Sequence, residues 1–281
     1  MARTVPLSIM PSDYEFPGDT QARARLSQMG DLKEFSKDFI SRVVEPWLSG
    51  ELSGDAVRVT PSQLPSLHDM VVEVAGLMSV ATPHVYIKQD PFLNAYTHGV
   101  GNQAFLVITH SLLEQLASNE LRFVIAHEIG HIKSQHVLYT TMASYLLDEA
   151  SHGPDRDASS LLLHLLEWQR EAEVTADRAG LLVCGDIGAA CVALLTLVVG
   201  SRKLAAQMDV REFIENQELA IEFNPIARTI EMGRSHPFVP KRLKELLAFA
   251  SSERYRQLLD EGVTLGEAQE DGAQMEIELS N

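Results

Sequence analysis

Residues 120–136 read Glu-Leu-Arg-Phe-Val-Ile-Ala-His-Glu-Ile-Gly-His-Ile-Lys-Ser-Gln-His, with His127-Glu128-Ile129-Gly130-His131 at their centre. On an α-helix, positions four apart differ by about 40° in azimuth and about 6 Å in height. Both imidazoles therefore project from one face and can reach a single tetrahedral zinc ion. Glu128 lies about 100° further round, so it need not be a ligand and can hold the attacking water instead. Zinc lowers the pKa of such a water toward about 7, and a neighbouring carboxylate completes its deprotonation. Val124, Ile125, Ala126, Ile129 and Ile132 make the segment apolar on most sides, which predicts a buried helix. Ionisable groups on a buried helix are expensive unless paired or metal-bound. One core histidine is ordinary; His127, Glu128 and His131 together point to a metal.

A catalytic zinc needs a third protein ligand and an open fourth position. The metzincin pattern would place Gly three and His six residues after the second His, but Ser134 and Val137 stand there and His136 is one position short. The ligand must come from another element. Glu171-Ala-Glu173-Val-Thr-Ala-Asp177 offers Glu173 and Asp177 on one helical face. Glu173 would bind the metal, and Asp177 would accept the second ring N–H of a ligand His and fix its tautomer. The competing reading is a solvated acidic helix face, with Glu167 and Glu171 nearby.

These residues resemble the HtpX-like and CAAX-prenyl-endopeptidase-type zinc peptidases, metallopeptidase family forty-eight. The likeness rests on Phe92-Leu-Asn94-Ala95-Tyr96 with Gly99, on His127–His131 introduced by Leu121–Ala126, and on Glu173-Val-Thr-Ala-Asp177-Arg-Ala-Gly180. A further block, Ser235-His236-Pro237 with Arg242 and Leu243, extends it over about residues 66–250. The resemblance implies an α+β gluzincin domain, mainly helical, with a small β-sheet beside the active-site helix. It implies that Asn94, Ala95 and Tyr96 border the cleft on a strand to which a substrate peptide adds; ordinary hairpin structure is the alternative. It also implies that His236 and Arg242 sit near the metal. There His236 either donates to the oxyanion or caps the zinc and silences the enzyme, unless Ser235-His236-Pro237 is simply a helix entry with Ser as cap. Many relatives carry transmembrane helices beside the catalytic domain, and none is evident here.

The surrounding chain fits this picture. With 45% hydrophobic and 22% charged residues, its 281 residues suffice for a sizeable core. A net charge of −16 argues against nucleic-acid binding, which needs a basic stripe. Cys184 and Cys191 on one helix would stand roughly 10 Å apart. That is too far for a disulfide, whose Cα atoms lie within about 7 Å. Residues 180–200 are apolar enough to suggest a membrane span, but Asp186 and the Gly185 turn favour two short buried helices. No signal peptide is evident, so a cytoplasmic location is expected.

The expected organisation is an N-terminal helical appendage at 1–60, a peptidase domain at 61–256 and an acidic, disordered tail at 257–281. Helices are expected near 66–77, 120–136, 138–149, 158–183, 187–201, 209–222 and 238–260, with Ser118-Asn119 as a cap. Strands are expected at 83–88, 92–96 and 104–109. The remaining histidines, 68, 84, 98, 110, 152 and 164, lack ligand spacing. The reading is a zinc-dependent endopeptidase with one Zn2+ per chain, Glu128 and His236 as catalytic groups, and peptide or protein substrates. Its rivals are a silenced zinc protein acting through a partner or by self-association, and a metal-free helical interaction module.

Overall fold

A computed structural model describes residues 3–6, 8–28, 32–99, 104–152 and 156–265 of the chain. Two helices set its frame: Ser118–Lys133, which carries the histidine motif, and Arg156–Cys184, which carries Glu173 and Asp177. They cross at close quarters because the residues at the contact are small. A Cβ on Gly130 would stand 2.9 Å from Ala179 Cβ, and one on Gly180 would stand 2.9 Å from the Phe123 ring. Phe123, Ile125, Ala126 and Ile129 are buried against Ala179, Leu182 and Val183. The apolar wrapping of the motif helix thus faces a core on several sides, as its composition predicts.

The long helix ends at Cys184. Gly185 adopts φ 63°, and Asp186 caps the next helix, Ile187–Val199, by accepting from Ala189 N–H. The suspected membrane span is therefore the last turn of the long helix, the Gly185 turn and one short helix rather than the two short helices expected, and among the described residues no helix is long and apolar enough to cross a bilayer. Cys184 ends the long helix and Cys191 lies on the next one, so they do not share a helix as expected, because the Gly185 turn parts them; both are buried free thiols.

The sheet has four strands in the order Ala56–Arg58, His84–Lys88, Phe105–Thr109, Ala95–His98. Phe105–Thr109 runs parallel to His84–Lys88 and antiparallel to Ala95–His98, which forms one edge. Successive side chains alternate between faces. Val85, Leu106 and Ile108 enter the main core, while Tyr86 and Val107 pack on Leu48 and Leu52 of the helix Glu45–Asp55. The architecture is α+β and mainly helical.

Several expected boundaries shift. The motif helix starts at Ser118 rather than being capped by it: Glu120 Oε2 accepts from Ala117 N–H at 2.8 Å, closing the first turn one residue earlier. It ends at Lys133, because Gln135 takes a left-handed φ of 60°. The first strand of the expected hairpin is Ala95–His98, not 92–96, and residues 100–102 of its turn lie outside the described residues. The stretch expected as a connection, 50–65, contributes helix and an unforeseen strand, Ala56–Arg58. The expected helix 238–260 is two, Val239–Ala250 and Glu253–Asp260, parted where Ser252 caps the second. Ser235 is not a cap; Phe238 holds that position and Pro240 fills the first turn. Part of the expected acidic tail is helix to Asp260, followed by the strand Val263–Leu265, which pairs with Arg3–Val5. Residues 266–281 lie outside the described residues.

Candidate metal centre

The helix crossing brings His127, His131 and Glu173 together in the core, each 6% exposed or less. His127 Nε2 and His131 Nε2 are 3.2 Å apart, and Glu173 lies 3.4 Å from the first and 3.3 Å from the second. A tetrahedral ion with Zn–N bonds of about 2.0–2.1 Å holds its ligand atoms roughly 3.3 Å apart. The two Nε2 atoms have about that separation, and each is met by a different Glu173 oxygen, Oε2 on the His127 side and Oε1 on the His131 side. Glu173 Oε2 is buried with no hydrogen bond, approached only at 3.4 Å by His127 Nε2 and by Arg242 Nη1, so it keeps lone pairs free for a cation at the centre. The residues present therefore fit a metal ion.

Each histidine is oriented from behind. His127 Nδ1 lies 2.9 Å from Asp177 Oδ1, so the network assigns the ring proton to Nδ1 and the lone pair on Nε2 to the centre. Asp177 is pinned in turn by Arg242, whose Nε and Nη2 donate to its two oxygens at 2.8 and 2.7 Å. Arg242 Nη1 also lies 3.4 Å from Glu173 Oε2. His131 Nδ1 lies 2.9 Å from His136 Nδ1, and His136 Nε2 lies 3.0 Å from Asp19 Oδ2 on the N-terminal helix Pro17–Leu26. The turn after Lys133 makes this possible. With Gln135 left-handed, His136 N–H bonds back to His131 C=O at 2.8 Å and Gln135 N–H to Ile132 C=O at 3.1 Å, a Schellman closure.

The electrostatics follow from burial and these partners. Burial alone would lower the pKa of His127, yet the Asp177 and Glu173 carboxylates beside it push it up to about 10. Burial pushes Glu173 upward, but His236, Arg242 and His127 outweigh it and hold the carboxylate well below its usual range. Asp177 is likewise lowered despite burial, chiefly by Arg242. Burial dominates at His136, lowering its pKa to about 4 against the pull of Asp19.

Glu128 stands beside the centre, where one of its oxygens accepts from Thr97 Oγ1 at 2.6 Å. Thr97 belongs to the edge strand with Ala95 and Tyr96. Two cavities, of about 620 and 820 Å3, flank the centre and share Asn94, Ala95, Glu128, Glu173, Ser235 and His236 as lining. His236 is half exposed, with Nε2 3.5 Å from Glu173 Oε1 and Nδ1 2.8 Å from Ser235 Oγ. The structure brings His127, His131, Glu173, Asp177, Arg242, Glu128 and His236 together, with Asn94 and Ala95 lining both cavities and Tyr96 lining the smaller one. Sequence reasoning missed Thr97, His136 and Asp19. His136 had a signal in its closeness to the motif; Asp19 had none, standing 108 residues before His127.

Comparisons with known proteins identify the family. The family model described as peptidase family M48 matches residues 61–153 and 156–250. The "Plastoglobule-localized metallopeptidase 48, chloroplastic" of Arabidopsis thaliana is 34% identical over 257 residues, covering 88% of this chain and 75% of that protein. A "Protease HtpX homolog" of Moorella thermoacetica is 28% identical over 225 residues, 68% of this chain and 74% of that one. Among solved structures, S. mikatae Ste24p is similar at a TM-score of 0.36 and 16% identity, over 86% of this chain and 67% of that one. One of these relatives is named for a chloroplast body, so the cytoplasmic location remains an expectation of the sequence only. The metal-free interaction module fails against the family match, and the chain belongs to peptidase family M48, as a metallopeptidase.

Proposed function

We propose that His127, His131 and Glu173 bind one zinc ion, and that Glu128 is the base in endoproteolysis of peptide or protein substrates. The observation that supports this reading is a buried cluster in which the two imidazole Nε2 atoms lie 3.2 Å apart and each is 3.3–3.4 Å from one oxygen of the Glu173 carboxylate. Bound zinc supplies Lewis acidity, which activates water and polarises a carbonyl. Glu128 takes the proton of the attacking water on the oxygen that Thr97 leaves open, then passes it to the leaving amide nitrogen. The edge strand at Ala95–His98, with Asn94 just before it, offers unpaired backbone groups to an extended peptide. His236, half exposed on the cavity side of Glu173, donates to the developing oxyanion. Asp177 and Arg242 hold His127 and Glu173 in place.

The test combines metal analysis with cleavage of an unfolded casein-type substrate. Glu128→Gln should retain one zinc per chain and lose turnover by about 10²–10⁴-fold, the span of general acid–base catalysis. His131→Ala should lose both. Full zinc occupancy in His131→Ala, or loss of zinc in Glu128→Gln, would overturn the assignment of roles.

A further inference from the structure

The second ring nitrogen of His131 meets another histidine rather than a carboxylate, and that histidine ends on an acid from the far N-terminal side of the chain. Asp19 is fully buried, as is His136. Asp19 Oδ1 accepts from Trp168 Nε1 at 3.0 Å, and Oδ2 accepts from Thr175 Oγ1 at 2.8 Å and faces His136 Nε2 at 3.0 Å. Arg23 Nη2 reaches both oxygens at 3.2 Å. Its 3.4 Å approach to His136 Nε2 does not compete, since it already donates to Asp19 and, at 2.8 Å, to Glu15.

A carboxylate only accepts, so the proton between Asp19 and His136 belongs to His136 Nε2. A neutral His136 then has a bare Nδ1, which must accept from His131 Nδ1–H. His131 is left with its lone pair on Nε2, facing His127 and Glu173. We propose that Asp19 is a positioning residue of the metal centre, setting the tautomer of His131 through His136. This rests on the reading of His131 as a ligand, and it makes the N-terminal helix part of the metal site rather than an appendage to it.

Asp19→Asn tests the relay because Trp168 dictates how the amide must turn. Indole N–H can only donate, whereas the Thr175 hydroxyl can turn to accept and Arg23 reaches both positions alike, so the amide oxygen faces Trp168 and the NH2 faces Thr175 and His136. His136 would then accept at Nε2 and donate from Nδ1, which forces the proton of His131 onto Nε2, where it blocks the metal. Zinc affinity, measured by competition with a chromophoric chelator, should fall about 10–100-fold, as for other outer partners of metal ligands. Replacing Trp168 by Phe in the same chain frees the amide to turn its oxygen toward His136, so Asp19→Asn/Trp168→Phe should recover most of that affinity.

A merely structural role predicts the reverse, with two buried substitutions worse than one. An unchanged affinity in Asp19→Asn, or a double variant no better than the single one, overturns the proposal. Thermal melts on the same samples check folding. Should Asp19→Asn not fold, His136→Phe removes the acceptor from His131 and should show the same 10–100-fold loss; unchanged affinity there equally overturns the relay. Absence of stoichiometric zinc in the native chain would overturn both the ligand set and the relay, whereas normal zinc there with no effect of Asp19→Asn would sink the relay alone.

Discussion

His127 and His131 stand one helical turn apart with their Nε2 atoms 3.2 Å from each other, yet they are supported in unlike ways. Behind His127 is a carboxylate at 2.9 Å, itself clamped by a guanidinium. Behind His131 is a neutral imidazole, with the carboxylate one step further back. The first support comes from the helix that also supplies Glu173, through a four-residue spacing; the second reaches across from the N-terminal helix. A direct carboxylate stabilises positive charge on its histidine more strongly than a relay through a neutral ring. The two arms therefore hold equal geometry with unequal charge, and the charged arm lies on the side of the Ser235–Arg242 segment.

If that segment serves catalysis as well as support, His236→Ala should lower kcat by about 10²–10³-fold while zinc affinity stays near that of the native chain. A rise in basal cleavage would instead mark His236 as a cap on the metal, and no change would return the loop to a helix entry. Next in size is Asp177→Asn, which removes the charge from the stronger arm and leaves Arg242 buried beside a neutral amide. Its loss of zinc affinity should sit at the upper end of the roughly 10–100-fold range, above that of Asp19→Asn. Equal losses would erase the distinction between the arms. The smallest effect is expected at Gln135, whose left-handed backbone closes the turn that carries His136. Gln135→Gly should raise stability by about 1 kcal/mol in denaturant titrations, with zinc affinity unchanged. A loss of stability would mean that the glutamine side chain, not the backbone, holds the turn.

The same contrast explains what could be read from the chain. His127, Glu128, His131, Glu173 and Asp177 announce themselves because helical periodicity turns spacings of four into shared faces. The buried helices around them follow from apolar wrapping that leaves few polar sides. The strand Ala56–Arg58 was illegible because a three-residue edge strand among Ser, Gly and Pro has no periodicity to display. Asp19 was illegible for a deeper reason: its role depends on tertiary approach between segments far apart, and a lone acid in a polar helix looks like a solvated one. His136 was visible but misjudged, since testing it only as a ligand overlooked what a left-handed Gln135 lets it reach.

Gly130 and Gly180 lie inside helices, where glycine is about 1 kcal/mol less favourable than alanine. What offsets that penalty is a cage whose walls touch before any ion arrives. Ordering a free side chain on binding costs about 0.5–1.5 kcal/mol, and here little of that remains to be spent on capture. On the proposed reading an ion there would not leave by the swing of one ligand, because His127 is braced by Asp177, His131 by His136 and Glu173 by Arg242, and its release would wait on the two interlocked helices parting.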